Sequence, residues 1–316
     1  MLSRVANSLY WMGRYVERSE HLARYLNVQY FSTLDAPMSQ NKHFVLKSIM
    51  NMGGIVDKDE DKKLSEEEVL FKVALDKENP YSIISFVRAG RENTRSIRSS
   101  ISAELWESIN KYYHFMENYP IDVFQTRGLY DLCFRAIRYC AVIRANMYDT
   151  LIHDNVYAMM NLGIHLERAV QITRILSSKL YDIFSINMAL KDQNAKPIEN
   201  YQWTITLKAL EAFDMYHRFY NPPLRQKHIC EFLIINPNFP RSIAFNVNEV
   251  KNYVNDISLQ KTRSPDSLEF FIEKNASYYK FLDYSEISDD LQKFLGETLE
   301  NMYKINERIQ QGYMQL

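Results

Sequence analysis

Cysteine is scarce in this 316-residue chain, and the scarcity excludes two classes of protein. The three thiols, Cys133, Cys140 and Cys230, form no Cys-x-x-Cys pair, so neither a disulfide scaffold nor a thiolate metal site is indicated. Net charge is nearly absent too. Lys and Arg total 38 against 39 Asp and Glu, leaving -1, which argues against nucleic acid or an acidic membrane as the bulk partner. No apolar run is long enough to cross a bilayer. The opening "MLSRVANSLYWMGRYVERSE" lacks the uninterrupted apolar stretch of a signal peptide. The expected location is the cytoplasm. There is no His-Glu-x-x-His, and Gly53-Gly54 is too short a glycine run to cradle a nucleotide, so neither a metal nor an intrinsic cofactor is expected. Strand-like alternation is scarce as well.

What is present is helical periodicity. Leu2, Val5, Leu9, Met12 and Val16 recur at three and four residues, which predicts a helix with one buried face to about Tyr30. Further helices are predicted over 43–52, from Ser65, where Glu68 completes a capping-box pattern, and over 82–98, 102–118, 129–153 and 155–190. "KDQNAKPIEN" reads as a loop, and one helix follows it until Asn221-Pro222-Pro223. A short apolar helix over 229–235 gives way at Asn236-Pro237, and Pro240 suits the first turn of the next. The tail adds helices over 267–283 and 288–311. The fold class is therefore all-α: a multi-helix bundle.

Two of these helices carry the same pattern. "GRYVERSEHLARYL" starts at Gly13 and "GIHLERAVQITRIL" at Gly163. Aligning the glycines matches Glu17 with Glu167, Arg18 with Arg168 and Arg24 with Arg174. This suggests two internally related halves, about 1–125 and 126–245, with a divergent helical extension over 246–316. Glycine inside a helix costs about 1 kcal/mol against alanine, so the pair invites close packing. Adjacent Glu and Arg point about 100° apart and cannot satisfy each other. Glu17 can reach His21 at i+4, and Glu167 can reach Gln171. A crossed pairing of Glu17 with Arg168 and Glu167 with Arg18 is one expectation, and it would set register more than stability. A polar ligand pocket is the other.

A second pattern is basic. Arg88, Arg91, Arg95 and Arg98 recur at three and four residues, giving one arginine face. Arginine suits bidentate recognition of carboxylate or phosphate. A salt-bridge lattice with Glu17, Glu104, Glu107 and Glu167 fits equally well. No nucleic-acid reader motif accompanies the stripe. Asp57 to Glu68 mimics a calcium loop but has Lys62 where glycine is needed, so it reads as a charged connection. His153-Asp154 reads as a helix end. Cys133 and Cys140 share a helix face and read as buried thiols. Glu211, Asp214 and His217 lie three apart on one predicted helix, which suits acid-base or metal chemistry only with a twin motif elsewhere. Arg241 follows Pro240 at a helix start, where backbone N–H groups and its guanidinium could hold an anion. A helix entry pinned by a salt bridge is the alternative.

The opening "MLSRVANSLYWMGRYVERSEHLARYL" resembles the start of the bacterial alpha-E (DUF403) family. "RAGRENTRSIRSSISAELWESIN", "LGIHLERA" and "EFLIINPNFPRSI" extend the resemblance in order through most of the first 245 residues. The resemblance implies an all-helical domain with a Glu-Arg motif. It also implies partners: a circularly permuted ATP-grasp protein that would use ATP, and a transglutaminase-like protein. The implied role is a component of a peptide ligation or peptide-modification system. Its polar centre would contain Arg14, Arg18, Arg88, Arg91, Arg95, His165, Arg168 and Arg241 as anion-binding groups, with Glu17 or Glu167 as general base. The second motif departs from the family pattern, with Ile164-His165 where Arg-Tyr is expected and Val170 where an acid is expected. The alternative role is a non-enzymatic adaptor whose Glu-Arg motifs are internal braces.

Overall fold

The computed structural model describes residues 1–32, 42–55, 65–124, 128–190, 195–220, 223–258 and 264–314. All regular structure among them is helical. In chain order the helices are α1 (Ser3–Ser32), α2 (Lys42–Met52), α3 (Glu66–Ala74), α4 (Ile83–Ser96), α5 (Ala103–Glu117), the single turn α6 (Ile121–Val123), α7 (Leu129–Thr150), α8 (Asn155–Leu190), α9 (Ala195–Ala209), α10 (Phe213–Phe219), α11 (Gln226–Cys230), α12 (Ile243–Ile257), α13 (Leu268–Phe281) and α14 (Leu291–Tyr313). The turn after α11, Glu231–Ile235, is π-helical. None of these helices is long and apolar enough to cross a membrane.

Two compact units share the chain. One is Trp11–His153; the other is Met1–Tyr10 with Asp154–Leu316. The sequence reading put the boundary between halves at 125/126. In the first unit α4 packs on α5, α5 on α7 and α2 on α3. In the second, α12 and α14 both lie along α8, and α13 packs on α12 and α14. The periodic residues do the work: Leu9, Met12, Leu22 and Leu26 of α1 are buried, as are Leu162, Leu166, Ile172 and Leu176 of α8. Burying each such side chain stabilises by about 1.5–3 kcal/mol.

The two units use the same local devices. Each has a helix that closes with a left-handed residue: Gly54 (φ 67°) after α2 and Glu211 (φ 50°) after α9. The amides around them repeat one pattern. Gly53, Gly54 and Ile55 donate to Ile49, Asn51 and Met50, and Leu210, Glu211 and Ala212 donate to Thr206, Lys208 and Leu207. The connections into α4 and α12 also match. The Asp76 and Asn236 side chains each accept the amide two residues on, at 2.9 Å. The Ser82 and Ser242 hydroxyls each donate back to the carbonyl six residues earlier, at 2.7 and 2.5 Å, and each serine caps the following helix. Pro80 and Pro240 hold the same place, two residues before the cap. Ser102 then caps α5 and Ser267 caps α13. The order of elements thus recurs beyond residue 245, where α13 and α14 stand as α5 and α7 do.

Several boundaries differ from expectation. α9 begins at Ala195, because Pro197 is tolerated in a first turn, where its missing N–H has no helical acceptor to lose. The helix expected over 201–220 is interrupted at Glu211. Pro240 precedes the cap Ser242 rather than opening α12. Arg98 lies beyond α4 in a short 3-10 turn, Arg98–Ser100. Asp57 to Leu64 of the calcium-loop look-alike and the Asn221-Pro222 stop lie outside the described residues; Glu68 instead completes the capping box with Ser65.

Candidate functional site

The first Glu-Arg motif is a buried ionic cluster on α1. Glu17, Glu20 and His21 are wholly shielded from solvent, and Arg14 and Arg24 nearly so. Helical spacing makes the local pairs: His21 Nε2 lies 3.0 Å from Glu17 Oε1, and Arg24 Nη2 donates to Glu20 Oε1 at 2.7 Å. α7 adds Arg144, which pairs with Glu20 and lies 3.7 Å from Glu17 Oε2. Desolvation pulls the Arg144 pKa down, but Glu20 and Glu17 outweigh it and hold its proton more tightly than usual. Arg14 stacks over Trp11 at 4.9 Å. Arg18, half-exposed, lies within 6 Å of the rings of Trp11, Tyr15 and Phe86, at 5.5, 5.8 and 5.8 Å. These aromatic faces help to set the guanidiniums in place.

The second motif keeps the carboxylate geometry and changes the donor. Glu167 is wholly buried and accepts from Gln171 Nε2 at 2.7 Å, so Gln171 fills the place of His21. Arg168 and His165 are nearly buried. His165 is fixed by α12. Asn246 donates Nδ2 to the carbonyls of Pro240 (2.9 Å) and Ser242 (2.7 Å), which leaves its Oδ1 to face His165 Nδ1 at 2.8 Å. Nδ1 therefore carries the proton in the neutral ring, and the lone pair lies on Nε2. The ring stacks on Tyr253 at 5.6 Å.

The arginine stripe is committed to its own unit. Arg88 makes a two-pronged pair with Glu117, Nε and Nη2 each 2.9 Å from the carboxylate, and Lys77 joins it. Through the Arg88 hydrogen bonds first, opposed by some desolvation and reinforced by Lys77, the Glu117 pKa is held down to about 2. Arg91 donates to Asn110 at 2.9 Å and to Glu92 at 2.9 Å, over the ring of Tyr113 at 4.4 Å. Arg95 pairs with Glu92 at 3.0 Å. The lattice exists, but its acids are Glu117 and Glu92, not the four expected; Glu107 pairs with Lys111 instead. Arg241 meets Glu211 at 2.6 Å, the residue that breaks the predicted helix, so Glu211, Asp214 and His217 do not share one helix.

Some participants escaped the sequence reading. Glu20 had a local signal in Arg24 four residues on. Arg144, Asn246 and Glu117 had none, because each meets its partner across a helix–helix contact. The three thiols are buried. Burial raises all of them, Cys140 to about 12 despite the Ser19 hydroxyl beside it, so none is a poised nucleophile. His153 contacts the carbonyl of Tyr148, as a helix end should. No group of three metal-ligating side chains occurs among the described residues.

These features define a class: an all-helical protein with a Glu-Arg motif, its glutamate buried, in each of two units built alike. The chain belongs to the alpha-E family, described as an α-helical domain with a conserved ER motif, whose pattern matches residues 1–314. It is similar to an uncharacterized protein of Mycobacterium bovis, 22% identical over 275 residues, which cover 80% of this chain and 30% of that protein. An uncharacterized protein of Mycobacterium tuberculosis is 21% identical over the same length and shares. The chain thus spans about 30% of the length of the curated relatives it matches. No solved structure matches.

Proposed function

We propose that this protein binds an anionic substrate or intermediate through its Glu-Arg motif arginines, as a component of a peptide ligation or peptide-modification system linked to an ATP-grasp partner. The observation that carries the binding part is the gathering of guanidiniums at the first motif. Arg14, Arg18, Arg24 and Arg144 surround the turns of α1 that carry Glu17 and Glu20, and two of them lie against aromatic faces. A group of that composition favours an incoming carboxylate or phosphate. Glu17, held against His21, is the group proposed to accept a proton. The ATP-grasp and transglutaminase-like partners rest on the family resemblance. The greater length of the mycobacterial relatives is compatible with this domain working beside others.

A second reading has its own support. Arg88, Arg91 and Arg95 are engaged by Glu117, Asn110 and Glu92, which is what internal braces in an adaptor would do. Calorimetric titration with ATP, ADP and acidic peptides separates the two, using the native protein and Arg18→Ala and Arg14→Ala variants whose helicity is checked. Binding that falls at least about tenfold in the folded Arg18→Ala protein supports the ligand site. No binding to any member of the panel, with Arg14→Ala merely less stable, overturns it in favour of the adaptor.

A further inference from the structure

The unit that carries the second motif also holds a cleft of about 700 Å³, away from the Glu-Arg residues and within the size range of small-ligand sites. Phe219, Tyr220, Phe232, Phe239 and Tyr284 form its apolar wall. Phe232 and Phe239 stack at 4.4 Å, and Phe219 leaves 66% of its surface in water. Three charged side chains line it. Glu231 is occupied: Lys227 lies 3.7 Å from Oε1 and the Tyr220 hydroxyl 3.5 Å from Oε2. Asp283 is occupied too, accepting the Ser285 amide and hydroxyl at 2.8 and 2.5 Å. Arg218 is exposed at the cleft, and among the described residues no ion pair engages it.

The other unit carries charged side chains at the corresponding place. Counting from the matched caps, its Lys77, Arg88 and Glu117 stand where this unit has Pro237, Asn248 and Leu282. There the three charges tie the connection, α4 and the end of α5 together. Here none of them is present, the connection presents Pro237 and Phe239, and among the described residues the Arg218 guanidinium has no ion pair.

We infer that this cleft binds a small acid with an apolar body, its carboxylate or phosphate on Arg218 and its aromatic or aliphatic part against Phe219, Phe232 and Phe239. The cationic and aromatic groups fit that ligand, while Glu231 faces Lys227 and the Tyr220 hydroxyl, and Asp283 Oδ1 accepts from Ser285. The inference is independent of the first-motif ligand site, because no residue is shared. The probes are N-acetylphenylalanine, its amide, phenyl phosphate and inorganic phosphate, titrated calorimetrically into the full chain. The acid is expected to bind at least about tenfold tighter than its amide, and Arg218→Gln to erase that difference while leaving amide binding unchanged. Phe219→Ala, at a largely exposed side chain that the fold does not need, is expected to weaken acid and amide alike. Comparing N-acetylphenylalanine with phenyl phosphate tells which headgroup is preferred. Equal binding of acid and amide, binding of inorganic phosphate as tight as of phenyl phosphate, or no saturable binding at all would overturn the inference.

Discussion

Glu20 takes two arginines while fully shielded from water, Arg24 from its own helix and Arg144 from α7. A buried carboxylate pays a desolvation cost that only its partners offset, and those partners incur the same penalty when it is removed. Replacing Glu20 by Gln leaves Arg144 and Arg24 facing a neutral amide. The expected loss is on the order of 3 kcal/mol, read as a lower urea midpoint with an unchanged slope. An unaltered midpoint would mean that water, not Glu20, neutralises these arginines. At this scale the sequence was informative where helical spacing decides the partner. The pairs Glu17 with His21 and Glu167 with Gln171 follow from i,i+4 geometry alone. The partners of Arg88 and His165 were illegible, since Glu117 and Asn246 lie 29 and 81 residues away and reach them only after helices pack.

Elements are ended and tied by a few residues, and these give two predictions. The turn after α2 requires positive φ at Gly54, and a Cβ there would sit 2.7 Å from the Tyr81 ring. Gly54→Ala is expected to cost about 1–2 kcal/mol by thermal or urea unfolding, through the left-handed backbone as well as the crowding. The tie between α4, α5 and the connection before α4 is Glu117. Its pKa falls from 4.5 to about 2 on folding, so its contribution is complete above the unfolded value and is lost as pH drops from about 4.5 toward 2. Stability measured across that window is expected to fall less steeply in Glu117→Gln than in the native protein. Parallel profiles would remove Glu117 from the acid sensitivity. Helix identity was legible here: Ser65 with Glu68 was a readable cap, and the helices expected from 82, 102 and 267 begin at serines that the structure shows to be caps. The break at Glu211 was not, because a left-handed glutamate carries none of the glycine or proline signal that marks such a turn.

At the scale of the whole molecule, the buried cysteines report on each unit separately. Cys133 and Cys140 belong to one unit and Cys230 to the other. All three thiols are shielded and raised in pKa, so a thiol reagent at neutral pH is expected to leave the native protein unlabelled and to modify all three only in denaturant. Mass spectrometry of partly labelled protein would show whether the units open together. Rapid labelling of Cys230 in native buffer would contradict the burial described. The all-helical class was legible from periodicity, and the two halves from the Glu-Arg repeat. The likeness of α13 and α14 to α5 and α7 was hidden, because it lies in caps and element order rather than in shared motif residues.

Helix α1 begins in one unit and finishes in the other: its residues to Tyr10 belong with Asp154–Leu316, and the Tyr10 hydroxyl donates to Asn306 at 2.7 Å, 296 residues along the chain. A ribosome delivers Tyr10 well before Asn306. The unit Trp11–His153 can assemble while synthesis continues, but the opening turns of α1 must stay undocked until α14 has emerged. Their exposed Leu9 and Tyr10 are then the surface most in need of shelter by a chaperone during those seconds.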